Sequence, residues 1–276
     1  MTDQYAVIGN PIVQSKSPII HAAFAAQTGQ DIEYRALEAP ADGFAAVVDA
    51  FRQRGGRGMN VTTPFKLDAF GYATIYCERA RLAGAVNCLR FDGSRVEAEN
   101  FDGLGLLRDV EANLGVAVRG KRVLLLGAGG AVRGALLPFL EADPAALVVA
   151  NRTQAKAQAL GDEFGTHGAL AAAGYDALPG AGRFDLVLNA TSASLRREMP
   201  AIPTSVFGRQ TVAYELAYGK GLTPFLCFAR DAGVTRLHDG VGMLVEQAAE
   251  AFVWWRGVRP DTRRVIEALT VPLTPS

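Results

Sequence analysis

Short apolar runs alternate along the chain with segments whose apolar residues recur at helical spacing, and this alternation predicts an α/β fold. The first run predicts a strand at Tyr5–Gly9. A helix is expected to start at Ser17, with Ser17 as its N-cap, Pro18 in its first turn and Gly29 as its C-terminal stop.

The same pattern continues through the first hundred residues. It predicts a strand at Ile32–Leu37, a helix with its apolar stripe at Phe44, Val47, Val48 and Phe51, and a third strand at Gly58–Thr62. Two further runs flank a dipeptide typical of tight hairpins, so we expect an antiparallel pair formed by Asn87–Phe91 and Arg95–Glu99 around Asp92-Gly93.

After residue 103 the pattern changes to that of a doubly wound parallel sheet. The expected elements are a helix at Leu104–Leu114, a buried strand at Lys121–Leu126, a helix at Ala131–Leu140, short strands at Leu147–Ala150, Leu186–Asn189 and Val212–Leu216, and a closing helix at about 242–255. We therefore expect an N-terminal α/β lobe over 1–103, a dinucleotide-type lobe over 104–237, and C-terminal helices over 238–276 that return to the first lobe.

Composition narrows the possible functions. The 28 Lys and Arg residues balance the 28 Asp and Glu residues, so no broad basic field favours nucleic acid or an anionic membrane. The three cysteines and three histidines show no metal-ligand spacing, and we expect no metal. Neither a basic leader nor a long apolar stretch follows Met1, so we expect no signal peptide and no membrane span, and therefore a cytoplasmic protein. We also expect a monomer or a homodimer.

A glycine-rich turn suggests a nucleotide site. Gly127-x-Gly129 lies between a predicted buried strand and a helix, where glycines let the backbone approach a pyrophosphate, although Val132 replaces the third glycine of the strict fingerprint. The next strand ends in Asn151-Arg152-Thr153, with Lys156 one turn later. Two cations suit a 2′-phosphate and favour NADP over NAD, although a plain strand-to-helix turn and a solvated helix start remain alternatives.

Polar residues in the first lobe lie at the ends of predicted strands and in loops, where α/β folds place ligands. The candidates are Ser15, Ser17, Asn60, Thr62, Lys66, Asn87, Asn100 and Asp102. Taken singly, each is explained as well by a loop, a helix cap or a surface role.

Taken together and in order, these residues resemble the shikimate dehydrogenase family over essentially the whole chain. The matching segments are Gly9-Asn10-Pro11 with Ser15-Lys16-Ser17-Pro18, Asn60-Val61-Thr62-x-Pro64-Phe65-Lys66, Gly84-Ala85-Val86-Asn87, Asn100-x-Asp102-Gly103, Gly127-Ala128-Gly129-Gly130-Ala131, Asn151-Arg152-Thr153, Asn189-Ala190-Thr191-Ser192, Tyr218-x-Lys220-Gly221-x-Thr223-Pro224, and Asp239-Gly240-x-Gly242-Met243-Leu244-x-x-Gln247-Ala248.

The resemblance implies two α/β lobes with a cleft between them and the reversible, NADPH-dependent reduction of 3-dehydroshikimate to shikimate. Lys66 and Asp102 would form the catalytic pair. The substrate's carboxylate and hydroxyls would be held by Ser15, Ser17, Thr62, Asn87, Tyr218 and Gln247. The cofactor would be held by Gly127, Ala128, Gly129, Gly130, Ala131, Asn151, Arg152, Thr153, Lys156, Thr191 and Gly240.

Some positions depart from the usual family pattern. Cys88 and Phe101 stand where threonines are usual, Glu215 where an aspartate is common, and Ser192-Ala193-Ser194 where a glycine-containing turn is frequent. The alternatives are a quinate/shikimate dehydrogenase, a paralogue that acts on a related cyclic hydroxy acid, and a non-catalytic NADP-sensing regulator. Serine at Ser17 favours shikimate over quinate, and retention of Lys66 and Asp102 disfavours the regulator.

Overall fold

The chain forms two compact units in a computed structural model that describes residues 2–191, 193 and 198–273. One unit comprises Met1–Gly105 and Val245–Glu267, and the other comprises Leu106–Leu244 and Ala268–Ser276. Ser192 and Ser194 of the expected turn lie outside the described residues.

A mixed six-stranded sheet organises the first unit. In sheet order its strands are β2 (Ile32–Glu38), β1 (Asp3–Gly9), β3 (Gly56–Val61), β5 (Cys88–Asp92), β6 (Arg95–Glu99) and β4 (Ile75–Tyr76). Strand β1 runs parallel to both of its neighbours, and β5 runs antiparallel to β3 and β6. The carboxyl ends of β1 and β3 therefore lie side by side, with Ile8 paired to Val61.

Helices follow these strands. They are α1 (Ser17–Thr28), α2 (Phe44–Gln53), α3 (Lys66–Tyr72), α4 (Glu78–Ala83), α5 (Asp102–Arg108), and, near the C-terminus, α9 (Val241–Arg256) and α10 (Arg263–Leu269). The predicted stop of α1 is confirmed, because Gly29 adopts a φ of 66° in the left-handed region. The predicted N-cap is wrong: Lys16 occupies that position, and Ser17 is the first helical residue.

Six parallel strands form the sheet of the second unit. In sheet order they are β12 (Arg236–Asp239), β11 (Phe207–Glu215), β10 (Phe184–Asn189), β7 (Arg122–Leu126), β8 (Ala146–Asn151) and β9 (Leu170–Gly174). Its helices include α6 (Gly130–Glu141), α7 (Gln154–Phe164) and α8 (Pro224–Asp231). Counted from β7, this is the strand order of the doubly wound dinucleotide-binding fold, so the predicted fold class is confirmed.

One predicted helix is interrupted. The helix expected over Leu104–Leu114 consists of α5, which ends at Arg108, and a π-helical turn at Asp109–Asn113. Within this turn the buried Asp109 carboxylate accepts hydrogen bonds from Tyr214 Oη at 2.7 Å and from Asn113 Nδ2 at 2.9 Å. We attribute the wider turn to these bonds, which hold an acidic side chain inside the unit.

Candidate active site

The predicted catalytic pair is in contact. Lys66 is the first residue of α3, Asp102 is the first residue of α5, and the Lys66 ammonium forms an ion pair with the Asp102 Oδ2 atom. The lysine side chain is 33% exposed and the aspartate side chain 14% exposed, so the pair is reachable but largely shielded. Partial shielding strengthens the attraction between the two charges relative to open water, and so holds the pair together.

A single amide orients the aspartate. Asn87 Nδ2 donates to Asp102 Oδ1 at 2.8 Å and to Gln247 Oε1 at 3.4 Å, and Asn87 Oδ1 accepts from the Phe101 backbone N–H at 2.9 Å. Because both ends of the amide are occupied, Asn87 is fixed in one orientation. Asn87 therefore holds Asp102, a contact that the spacing alone did not reveal.

The hairpin explains why residues 87 and 102 meet. Strands β5 and β6 pair Cys88 with Glu99, and the Asn87 backbone N–H donates to the Glu99 carbonyl at 3.1 Å. Beyond β6, the Asn100 side chain accepts from the Asp102 backbone N–H at 3.1 Å and donates to the Ala85 carbonyl at 3.0 Å. Asn100 thus starts the turn into α5 and places Asp102 beside Asn87.

Three predicted substrate residues follow the adjacent ends of β1 and β3. The Ser17 backbone N–H donates to Ser15 Oγ at 3.3 Å, and the Thr62 backbone N–H donates to the Ile8 carbonyl at 3.0 Å. Gly9 makes this approach possible, since a Cβ atom there would lie 2.6 Å from Thr62 Cγ2. Ser15 and Thr62 are half-buried and Ser17 is buried.

Of the polar residues that support the site, the sequence analysis named Asn60 but missed Tyr34, Cys77, Arg79 and Glu99. Tyr34 Oη donates to Asn60 Oδ1 at 2.7 Å, and Asn60 Nδ2 donates to the Asn87 carbonyl at 3.4 Å. The buried Glu99 carboxylate contacts the Arg79 guanidinium and the Cys77 thiol. Burial, helped by a hydrogen bond to Glu99, raises the pKa of Cys77 to about 11. No local motif marks these groups, because strand pairing brings them together.

The two residues next to the site that depart from the usual family pattern, Cys88 and Phe101, are core residues. Cys88 is 0% exposed and Phe101 is 4% exposed, and both pack with Ala251 in a hydrophobic cluster. Phe101 also meets the ring of Trp254 edge to face, with centroids 5.8 Å apart. Their side chains therefore contribute packing in this unit rather than polar groups at the Lys66–Asp102 pair.

The second unit contains a pocket of about 500 Å³ at the carboxyl ends of β7, β8 and β10. The predicted residues that line it are Gly127, Ala128, Gly129, Gly130, Ala131, Asn151, Arg152, Thr153, Lys156 and Thr191. Lining residues that the sequence analysis missed are Tyr175, Ala190, Ala193, Glu198, Met199, Pro200 and Ala201. Tyr175 directly follows β9, which the apolar pattern did not predict.

This pocket fits a phosphorylated dinucleotide. A Cβ atom on Gly129 or Gly130 would meet nothing within 4 Å, so the backbone there borders open space at the start of α6, where helix N–H groups favour an anion. Arg152 and Lys156 both line the pocket and are exposed. Their charges and the helix end complement the pyrophosphate and 2′-phosphate of NADP.

Three predicted residues, one for the cofactor and two for the substrate, lie outside the pocket of the second unit. Gly240 is not among the residues that line the pocket; a Cβ atom there would lie 2.1 Å from the Leu216 carbonyl oxygen, so this glycine permits close backbone packing. Tyr218 is 39% exposed in the second unit, and burial of the rest of its side chain raises its pKa. Gln247 is half-buried in the first unit and contacts Asn87.

Among the described residues, no group of three or more His, Cys, Asp or Glu side chains is placed to hold a metal ion. Within the same part of the chain, no helix combines the length and apolar composition needed to cross a membrane.

Family models match three segments of the chain. They describe a shikimate dehydrogenase substrate binding domain over residues 7–89, a shikimate/quinate 5-dehydrogenase over residues 110–199, and a shikimate 5′-dehydrogenase C-terminal domain over residues 240–270. The NADP⁺-dependent shikimate dehydrogenase of Nitrosospira multiformis is 56% identical over 269 residues, which is 98% of each chain.

Solved structures extend the similarity to the fold. An Ael1 enzyme from Pseudomonas putida is 60% identical with a TM-score of 0.96, covering 99% of this chain and 100% of its own. Shikimate 5-dehydrogenase from Thermus thermophilus, solved with NADP(H) and shikimate, is 30% identical with a TM-score of 0.84, covering 97% and 98%. The chain therefore belongs to the shikimate dehydrogenase family.

Proposed function

We propose that this protein is an oxidoreductase that catalyses the reversible NADPH-dependent reduction of 3-dehydroshikimate to shikimate, a step of aromatic amino-acid biosynthesis. The contact between Lys66 and Asp102, at the positions where the family resemblance places the catalytic pair, carries this proposal. Relatives at 51–56% identity over nearly the full chain bear the name NADP⁺-dependent shikimate dehydrogenase.

The cofactor is NADP. Arg152 and Lys156 would bind its 2′-phosphate, and the Gly127–Ala131 turn would bind its pyrophosphate at the start of α6. No acid occupies the end of β8, where NAD-binding folds usually place a carboxylate for the ribose hydroxyls, since this strand ends at Asn151 and continues into Arg152. When bound, the nicotinamide supplies hydride in reduction and takes it up in oxidation.

Lys66 and Asp102 would transfer the proton that the substrate oxygen gains in reduction and loses in oxidation. As a carbonyl carbon gains hydride, negative charge grows on its oxygen, and the Lys66 ammonium would donate the proton that completes the hydroxyl. In the reverse direction the lysine would accept that proton. The Asp102 carboxylate fixes the direction of Nζ, and because the two groups are in contact they act as one coupled acid–base unit.

The remaining groups would select the substrate. Ser15, Ser17, Thr62, Asn87 and Gln247 offer hydroxyl and amide groups suited to a carboxylate and several ring hydroxyls, and Tyr218 would add a phenol. Hydrogen-bonding sites of this kind discriminate strongly, because a substrate that lacks a matching hydroxyl leaves a polar group unpaired.

A quinate/shikimate dehydrogenase is the second candidate. The burial of Cys88 and Phe101 removes the main reason to expect an altered substrate, since these departures lie in the hydrophobic cluster with Ala251. The compact serine at Ser17 also favours shikimate. A purely regulatory NADP-binding protein is disfavoured because the Lys66–Asp102 pair is retained and joined to Asn87.

Initial rates test the proposal. Shikimate and quinate are each assayed with NADP⁺ and with NAD⁺, and NADPH or NADH formation is followed by absorbance. We expect the highest kcat/KM for shikimate with NADP⁺. Oxidation of neither acid would refute the proposal and favour a divergent paralogue, whereas a preference for quinate would favour the second candidate. Cytoplasmic location and a monomeric or homodimeric state stay predictions.

A further inference from the structure

A fully buried carboxylate lies at the end of β11 in the second unit. Glu215 is 0% exposed and is the last residue of that strand. It is outside the set of residues that line the dinucleotide pocket. An ionised side chain in such a place is costly unless donors surround it, so its partners indicate what it is for.

Three donors converge on this carboxylate, one at the end of β10 and two in the segment that follows β11. Glu215 Oε2 accepts from Asn189 Nδ2 at 2.9 Å and from Thr223 Oγ1 at 3.0 Å, and Glu215 Oε1 accepts from the Ala217 backbone N–H at 3.4 Å. Asn189 is the last residue of β10, and Thr223 is the N-cap of α8. The carboxylate therefore ties the ends of two neighbouring strands to the start of a helix.

The first of these donors leads directly to the pocket. Asn189 Oδ1 accepts from Thr191 Oγ1 at 2.8 Å and from the Thr191 backbone N–H at 3.2 Å. Thr191 lines the pocket, and a Cβ atom on Gly127 would lie 3.4 Å from its methyl carbon. An ionised Glu215 carboxylate only accepts hydrogen bonds, and it would orient Asn189 with its Nδ2 toward the carboxylate and its Oδ1 toward Thr191.

The other two donors hold the segment that carries Tyr218. Ala217 begins this segment and Thr223 ends it, and both donate to Glu215. Between them, the Gly219 backbone N–H donates to Asp239 Oδ2 at 3.0 Å.

We propose that Glu215 is a positioning residue that orients Thr191 for NADP binding through Asn189 and fixes the segment bearing Tyr218. This inference rests on the proposed function for its kinetic readout, but its binding readout needs NADP⁺ alone.

Glu215→Gln tests whether Glu215 sets the orientation of the Asn189 side-chain amide. A glutamine can accept from Asn189 and Thr223 only by turning its NH₂ toward the Ala217 N–H. In the other orientation its NH₂ faces Asn189 Nδ2, so Asn189 must flip and lose both bonds to Thr191. Either orientation of the glutamine amide therefore leaves one pair of N–H donors facing each other.

We expect the Kd for NADP⁺, measured by titration calorimetry, to rise about tenfold in Glu215→Gln, with the KM for NADP⁺ rising by a similar factor and kcat falling less. Glu215→Asp keeps the charge but is one methylene shorter, and it should weaken NADP⁺ binding less than the glutamine variant.

Thr211→Val is the matched control. Thr211 is a buried polar residue in the middle of β11, four residues before Glu215, and its hydroxyl donates to the Phe184 carbonyl at 2.6 Å. We expect this variant to lower the melting temperature while the Kd for NADP⁺ stays at the wild-type value.

Glu215→Leu removes both acceptor oxygens whatever its rotamer, so an unchanged Kd in Glu215→Gln and Glu215→Leu alike, or a rise of equal size in Thr211→Val, would overturn the positioning role. Failure of the wild-type protein to oxidise shikimate would instead refute the proposed function, and the NADP⁺ titrations would still decide this inference.

Discussion

The buried imidazole of His21 makes folding stability depend on pH. Its side chain is 0% exposed and stacks on Tyr34, with ring centroids 4.2 Å apart and planes inclined by 6°. Phe24 packs edge to face against it at 5.9 Å. Burial lowers the pKa of His21 to about 3, and the side chain of Asn60 makes a smaller, opposing contribution.

The sign and size of the effect follow from this shift. An unfolded histidine has a pKa of about 6.5, so between that pH and about 3 unfolding takes up a proton that the folded state excludes. The stabilising contribution is fully present above about pH 6.5 and is lost as the pH falls. At about pH 5, roughly 1.5 units below the unfolded pKa, the loss is about 2 kcal/mol at 1.36 kcal/mol per unit.

His21→Phe keeps an aromatic ring against Tyr34 and removes the titration. Urea unfolding at about pH 7.5 and about pH 5 is followed by tryptophan fluorescence, which reports on the first unit because both tryptophans lie within Val245–Glu267. We expect the wild type to lose about 2 kcal/mol more than the variant between these pH values. Equal losses in the two proteins would refute the reasoning.

Three further predictions concern the cofactor pocket and the hairpin. Arg152→Glu should raise the KM for NADP⁺ at least about tenfold, because repulsion between two negative charges replaces a guanidinium–phosphate bond. Rates with NAD⁺ should not fall, and an unchanged preference for NADP⁺ in initial-rate assays would contradict this prediction. Tyr175 lines the pocket, so Tyr175→Ala should weaken NADP⁺ binding by about 2–10-fold in titration calorimetry, and Tyr175→Phe should bind like the wild type. An unchanged Kd in Tyr175→Ala would contradict a contact between this ring and the cofactor. Gly93 has a φ of 57°, in the left-handed region that alanine disfavours, so Gly93→Ala should lower the free energy of unfolding by about 1 kcal/mol without changing kcat/KM. A melting temperature equal to that of the wild type would contradict this prediction.

Elements with strong local signals were predicted well. Alternating apolar residues and Asp92-Gly93 located the β5–β6 hairpin, and Gly29 marked the end of α1. Strand β9 was missed because its sequence, Leu-Ala-Ala-Ala-Gly, contains no β-branched or aromatic residue and is defined by pairing with β8. The domain boundaries at 103 and 237 stay predictions.

The sequence predicted several residues of the candidate site but not the hydrogen bonds between them. The ordered motifs pointed to Lys66 and Asp102, and the structure brings them into contact. Spacing could not reveal that Asn87 orients Asp102 or that Glu215 reaches Thr191 through Asn189, since the Asn87–Asp102 and Asn189–Glu215 bonds join residues far apart in the sequence. Such contacts depend on sheet order, which no local pattern specifies.

Replacing the lysine tests the central claim most directly. Lys66→Ala removes the proposed proton donor, and Leu67→Ala, a truncation of a 70% exposed side chain in the same turn of α3, is its matched control. With shikimate and NADP⁺, we expect kcat to fall by about 10²-fold or more in Lys66→Ala, with a much smaller change in the KM for shikimate, and the control to retain wild-type kcat. A Lys66→Ala variant with near-normal kcat would contradict the assignment of Lys66 and Asp102 as the acid–base pair.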